Sequence, residues 1–142
     1  HDLRTGAPPE LDLEREKNVQ QVVSEIIAQR LASNAHDCSD GGLAVALAEC
    51  CILGGHGAVI KLDDPIRPDA LLFGETQSRI IVGVTPGNQA KVVALCKKHG
   101  VPCTAIGVVK GDALVINNYV NASVAELKRL YTQAISKSVE AA

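Results

Sequence analysis

Apolar residues recur at intervals of three and four along residues 19–31, which predicts an amphipathic helix with one stripe packed against a core. Asp12 stands where it can cap this helix, and Glu14 and Glu16 carry the charge that the helix dipole favours in a first turn. A second segment, from about residue 42 to residue 53, is apolar nearly all round and ends at two consecutive glycines. We therefore expect the second helix to be buried on most of its sides.

Strand and helix patterns alternate in the rest of the chain. Near-continuous apolar runs predict two strands of a covered sheet, residues 58–62 and residues 79–84. Thr85 and Pro86 then begin a helix that ends near Gly100, and Ser123 begins the capping box of a last helix. Between these helices, two apolar segments flank a glycine-first turn and predict an antiparallel hairpin, residues 104–109 and residues 114–117.

The predicted order is helix, helix, strand, strand, helix, hairpin, helix, which indicates the α/β (α+β) class with a mixed sheet. The strand, helix and strand between residues 79 and 109 imply a right-handed crossover. With 142 residues, 46% of them hydrophobic, the chain is long enough for one core and too short for two ordinary ones. We assign residues 1–10 to a polar lead from a preceding domain, and residues 11–142 to a single C-terminal α/β domain.

The composition and charge of the chain limit the classes of function that it can have. A formal net charge of −2, with one Phe, two Tyr and no Trp, argues against nucleic-acid binding. No apolar run reaches the roughly 20 residues of a membrane helix, so we expect no membrane association. Five cysteines, without the spacing of a disulfide framework or a zinc site, favour reduced thiols and a cytoplasmic protein. Methionine is absent even from position 1, which indicates that the chain was cut from a longer one.

The segment Ala35-His36-Asp37-Cys38-Ser39-Asp40-Gly41-Gly42 combines carboxylates, a hydroxyl and two glycines directly ahead of the second predicted helix. Its amides would open that helix and direct the positive end of the helix dipole at an anion. We therefore predict a ligand-facing loop for phosphate or metal-bound phosphate. The alternative needs no ligand, because Ser39 could cap the helix, Asp37 could bond loop amides, and the glycines could permit close packing.

A second polar cluster, residues 73–79, lies just ahead of the second predicted strand, where side chains can be held rigidly beside a cleft. Glu75 and Gln77 could hold hydroxyls or amides, and Arg79 could hold phosphate through two hydrogen bonds. Pairing of Arg79 with Glu75 or with a loop carbonyl is the alternative. No residue is assigned a catalytic role. The candidate residues for binding substrate or nucleotide are Ser39, Asp40, Gly41, Gly42, Glu75, Thr76, Gln77, Ser78 and Arg79.

Together, the two clusters resemble the phosphoribosylformylglycinamidine synthase family, and more narrowly the C-terminal domain of its synthetase subunit. The resemblance is carried by Pro8-Pro9, Leu11-Asp12-Leu13-Glu14, residues 35–49 and residues 72–79. It implies a three-layer α/β/α sandwich of the aminoimidazole ribonucleotide synthetase C-terminal type. Such chains contain two similar halves, and this sequence resembles the second. Residues 11–142 would then be a synthetase-type domain.

The resemblance also implies a role in de novo purine biosynthesis. The parent enzyme would use ATP, Mg²⁺ and ammonia from glutamine to convert formylglycinamide ribonucleotide into its amidine, through a phosphorylated imidate that ammonia displaces. The implied partners are the N-terminal domains of the same chain, a glutaminase partner or domain, and formylglycinamide ribonucleotide. Asp37 matches by position an aspartate that contacts magnesium in the first-half counterpart, and residues 75–78 match a substrate-contacting cluster. Because the second half tends to hold a degenerate or auxiliary nucleotide pocket, the fragment alone is expected to be inactive.

Two alternatives stay open. One is another ATP-dependent member of the superfamily, such as aminoimidazole ribonucleotide synthetase, selenophosphate synthetase or thiamine-monophosphate kinase. The other is a noncatalytic packing or regulatory module, in which Asp37 and Asp40 only cap and the Glu75 cluster only pairs with a neighbouring domain. Nucleotide titration of the parent protein with Asp37→Ala and Glu75→Ala would separate these hypotheses.

Overall fold

The computed structural model describes residues 9–140, and the side chains up to residue 134. Most of the predicted polar lead, including Pro8, lies outside the described residues. The chain divides into two compact units. Unit 1 consists of the described residues up to Ser39 together with Glu75–Cys103, and unit 2 consists of Asp40–Gly74 together with the described residues from Thr104 onward. That residues 11–142 form a single domain stays a prediction.

Five α-helices and six strands make up the described part of the chain. In chain order the elements are α1 (Leu13–Ala28), β1 (Ala32–Asp37), α2 (Gly42–Gly54), β2 (Ala58–Ile60), α3 (Pro68–Phe73), β3 (Ile80–Val84), a 3-10 helix (Pro86–Asn88), α4 (Gln89–Lys98), β4 (Gly107–Val109), β5 (Ala113–Ile116), β6 (Val120–Ser123) and α5 (Val124–Glu140). No helix among the described residues is long and apolar enough to cross a bilayer.

Unit 1 has its own core between α1 and α4. Asp12 caps α1 as predicted, since its side chain accepts a hydrogen bond from the Arg15 amide at 3.0 Å. The predicted apolar stripe of α1 faces inward and joins residues of α4 in one buried cluster. The cluster consists of Val22, Ile26, Leu31, Val92 and Cys96. Beside it, β1 and β3 form a two-stranded antiparallel sheet.

Unit 2 contains a four-stranded sheet in the order β4-β2-β5-β6. Strand β2 pairs antiparallel with β4 and parallel with β5, so the sheet is mixed. Helix α2 is largely buried, as its continuous apolar sequence predicts. Its buried residues are Gly42, Leu43, Ala44, Ala46, Leu47 and Cys51. The predicted mixed α/β class is confirmed.

The predicted hairpin is wrong, because β2 lies between β4 and β5. The turn that was expected to join a hairpin passes around the start of β2. Gly57 donates its amide hydrogen to Gly111 O at 2.8 Å, and its carbonyl oxygen accepts the Lys110 amide at 2.9 Å. The backbone groups near the turn are therefore hydrogen-bonded to the residue that precedes β2. A Cβ on Gly57 would lie 2.3 Å from Ala113 O, so only glycine fits there.

The predicted right-handed crossover between residues 79 and 109 is also wrong. Strand β3 belongs to the two-stranded sheet and β4 to the four-stranded sheet, so α4 does not join parallel strands of one sheet. Three short elements were not predicted: β1, α3 and β6. Each is six residues or shorter, and such segments show too few repeats for hydrophobic periodicity to be recognised.

Asn117 joins the ends of β2 and β5 in unit 2. Its side-chain oxygen accepts the Leu62 amide at 2.9 Å, and its side-chain nitrogen donates to Leu62 O at 2.8 Å. Asn117 also has a positive φ of 47°, a conformation that asparagine tolerates better than most residues. The side chain thus continues the hydrogen bonding between β2 and β5 beyond the last backbone pair.

Candidate functional site

The two predicted clusters meet at one end of the β1–β3 pair in unit 1. Asp37, the last residue of β1, lies opposite Ile80, the first residue of β3. One residue further on, the Cys38 amide donates a hydrogen bond to Arg79 O at 2.9 Å. Antiparallel pairing therefore places residues 37–39 beside the segment that leads into β3. We call residues 37–39 and 75–79 the strand-end cluster.

Most side chains of the strand-end cluster are open to solvent. The Asp37 side chain is 71% exposed, and Ser39, Glu75, Thr76 and Gln77 are exposed as well. Arg79 is half-buried, and Cys38, which is hydrogen-bonded to it through the backbone, is buried. The cluster therefore contains carboxylates, hydroxyls, an amide and a guanidinium, which are the kinds of group that bind polar or phosphorylated molecules.

His36 adds an ionisable ring next to Asp37. Its Nδ1 lies 2.7 Å from the Asp37 carbonyl oxygen and 3.9 Å from the Asp37 carboxylate. A protonated Nδ1 can donate to this carbonyl, which would fix the ring orientation at the end of β1.

Glu16 belongs to this region, although no local pattern in the sequence indicated it. Ser78 Oγ donates a hydrogen bond to the Glu16 carboxylate, and Gln20 donates a second at 2.7 Å. These two bonds, chiefly the one from Ser78, hold the pKa of the Glu16 carboxyl below its usual value. Ser78 has a positive φ of 63°, so this contact accompanies an uncommon backbone conformation. The Ser78 hydroxyl is therefore already engaged by α1.

The remaining predicted residues, Asp40, Gly41 and Gly42, lie in unit 2. Gly41 is the N-cap of α2, with φ of 80°, and no side chain caps the helix. The alternative that Ser39 caps this helix is therefore wrong. Gly42, with φ of 65°, is buried, and a Cβ there would lie 2.8 Å from the Phe73 carbonyl carbon. Close packing at the start of α2 thus explains Gly42 without a ligand, and its role in binding stays a prediction.

Asp37 fits a magnesium ion only as one ligand of several. Within residues 9–140, no group of three or more His, Cys, Asp or Glu side chains is arranged to hold a metal ion. Magnesium in nucleotide sites commonly takes one or two carboxylates and completes its octahedron with phosphate oxygens and water. The exposed Asp37 carboxylate suits that mode and not a cage made entirely of protein ligands.

Comparison with known families decides the relationship. The family described as "AIR synthase related protein, C-terminal domain" matches residues 1–117. The chain belongs to this family. Among individual AIR synthase related proteins, it is 46% identical over 139 residues to the phosphoribosylformylglycinamidine synthase subunit PurL of Moorella thermoacetica, covering 95% of this chain. It is 42% identical over 145 residues to the PurL of Anaeromyxobacter sp., again covering 95% of this chain. The chain spans 19% of the length of each of these relatives.

Solved structures of AIR synthase related proteins share the fold. The structure described as T. maritima PurL complexed with ATP matches with a TM-score of 0.74 and 23% identity, over 88% of this chain and 23% of that one. The structure described as T. maritima PurL complexed with FGAR matches with a TM-score of 0.69 and 22% identity, over 80% of this chain and 21% of that one. The predicted family and the predicted aminoimidazole ribonucleotide synthetase-type fold are confirmed.

Proposed function

We propose that the chain is the C-terminal domain of the synthetase subunit of a phosphoribosylformylglycinamidine synthase, an ATP-dependent C–N ligase of purine biosynthesis. The observation that carries this proposal is the 46% identity to a PurL over nearly the whole chain. Because the chain spans only 19% of that relative, it supplies one part of the catalytic machinery. We expect the isolated chain to be inactive.

Within the parent enzyme, the strand-end cluster lines a pocket for nucleotide or for formylglycinamide ribonucleotide. PurL structures of the same fold are described with ATP and with FGAR, which makes both molecules candidates for this chain. The exposed Asp37 carboxylate would supply one oxygen ligand to phosphate-bound Mg²⁺, and Arg79 would donate to phosphate. Thr76 and Gln77 would orient polar groups of the ligand. Such fixed donors stabilise charge that develops during phosphoryl transfer.

The proposed site also depends on other parts of the parent enzyme. The N-terminal domains of the parent chain close the site, and a glutaminase partner or domain delivers ammonia. Mg²⁺ bound with ATP would offset the phosphate charge. The reaction takes place in the cytoplasm, which suits five cysteines without a disulfide framework.

The test uses the complete synthetase that contains this chain. Asp37→Ala and Glu75→Ala are each expected to raise the KM for ATP or formylglycinamide ribonucleotide, or to lower turnover, by roughly 10- to 100-fold, because a hydrogen bond to a charged group contributes about 1.5–3 kcal/mol. Asp64→Ala is the matched control, since Asp64 is an exposed carboxylate in the loop after β2.

The readout is ADP formation that depends on formylglycinamide ribonucleotide. Unchanged kinetics in both cluster variants would favour the packing module, an alternative that the Ser78–Glu16 bond and the buried Gly42 support. The isolated chain, assayed in parallel, is expected to release no ADP, and substrate-dependent release by it would contradict the assignment of only part of the site to this chain.

A further inference from the structure

The chain reverses direction immediately after α4 in unit 1. The Gly100 amide donates to Lys97 O at 3.2 Å, and the Val101 amide donates to Cys96 O at 2.9 Å. Gly100 has a φ of 66°. These two bonds and the left-handed glycine define a Schellman motif, which turns the chain back along the last turn of a helix. Val101 accordingly packs against the core cluster that contains Cys96.

A second cysteine, Cys103, follows two residues after Val101, and its thiol interacts with that of Cys96. Cys96 is buried, with 6% of its surface exposed, whereas Cys103 two residues after Val101 is exposed. Burial, and next the adjoining Cys103 thiol, raise the pKa of Cys96 to about 11. Both residues belong to the same compact unit. An exposed thiol therefore lies beside a buried one at the end of α4.

We propose that Cys96 and Cys103 form a reversible disulfide when the protein meets a low-molecular-weight disulfide such as oxidised glutathione. The Cys103 thiolate attacks one sulfur of that disulfide, forming a mixed disulfide and expelling one small thiolate. Cys96 then loses its proton to solvent and attacks the Cys103 sulfur, expelling the second small thiolate. The two protein thiols are oxidised by two electrons, the small disulfide is reduced, and the two released protons can be taken up by the expelled thiolates.

The division of roles follows from exposure. A small disulfide can reach Cys103, whereas the core cluster covers Cys96 and shields it from direct attack. Attack by Cys96 on the mixed disulfide is intramolecular, so its effective concentration is high despite the raised pKa of this thiol. The resulting bond would tie the last turn of α4 to Cys103, where unit 1 ends along the chain. This site goes beyond the proposed synthetase function and does not depend on it.

The test treats the folded 142-residue chain with oxidised glutathione, followed by acid quench and non-reducing tryptic mass spectrometry. Trypsin cuts after Lys98, between the two cysteines, so a bridge must appear as two peptides joined through Cys96 and Cys103. We expect loss of two of the five titratable thiols, and their return after reduction with dithiothreitol.

Two variants make the result specific. Cys103→Ser should abolish the joined peptides and leave Cys96 as a thiol, whereas Cys38→Ser, which changes another buried cysteine of unit 1, should leave the bridge intact. Cys51→Ala serves the same purpose if Cys38→Ser does not fold. The proposal is overturned if Cys103 stops at the glutathione mixed disulfide with Cys96 still reduced. It is equally overturned if neither thiol reacts in the folded chain.

Discussion

Replacing Asn117 tests whether its side chain holds β2 and β5 together. The two bonds to the Leu62 backbone, at 2.9 and 2.8 Å, are each expected to contribute about 0.5–1.5 kcal/mol, so their loss should cost about 1–3 kcal/mol. Asn117→Ala should cost roughly 1 kcal/mol more, because alanine is disfavoured at a φ of 47°. Asn117→Gly removes the same bonds but accepts that φ, and therefore separates the two effects.

Urea denaturation followed by circular dichroism gives the free energy of unfolding for each variant. Asn118→Ala is the matched control, since Asn118 is the adjacent exposed asparagine. Hydrogen exchange at the Leu62 amide supplies a local readout, and its protection should fall in both Asn117 variants. If Asn117→Ala lies within about 0.5 kcal/mol of Asn118→Ala, the side-chain bonds do not stabilise unit 2 and the reasoning is refuted.

Two further predictions concern a packed glycine and an ion pair. Gly42→Ala should lower the free energy of unfolding, measured by urea denaturation, by more than about 1 kcal/mol, because a Cβ would meet the Phe73 backbone at 2.8 Å. Gly54→Ala should be neutral or stabilising, because the space around Gly54 is open. Equal effects of the two substitutions would contradict the packing argument. Lys98 Nζ donates to Glu25 at 3.3 Å and lowers the pKa of Glu25. The ion pair therefore contributes to the free energy of unfolding above the ordinary carboxyl pKa of 4.5, and this contribution is lost as the pH falls through the lowered pKa. Glu25→Gln should flatten that part of the stability curve against pH, and an unchanged acid slope would show that the pair contributes nothing.

Local signals in the sequence were sufficient for the longer helices. The cap at Asp12, the stripe of α1 and the uniform apolarity of α2 all depend on neighbours within a few positions along the chain. The Ser123 side chain likewise caps α5, accepting the Glu126 amide at 3.2 Å. Strand pairing was predicted less well, because pairing depends on partners far apart in sequence. Nothing local indicated that β2 would separate β4 from β5.

In the candidate site, too, local features were predictable from the sequence and contacts between distant residues were not. Residue types and spacing identified both polar clusters and the family, but they did not indicate that Cys38 would bond to Arg79 or that Ser78 would bond to Glu16. These two hydrogen bonds join residues dozens of positions apart, so only the tertiary structure can place them.

The sequence by itself determined the positions of the longer helices, the family and the types of chemical group in the polar clusters, because these depend on residue identity and short-range periodicity. The tertiary structure alone decided which strands pair, which glycines are required by close packing, and which polar side chains already have partners. These properties arise from long-range backbone hydrogen bonding and from burial, which a linear pattern does not encode.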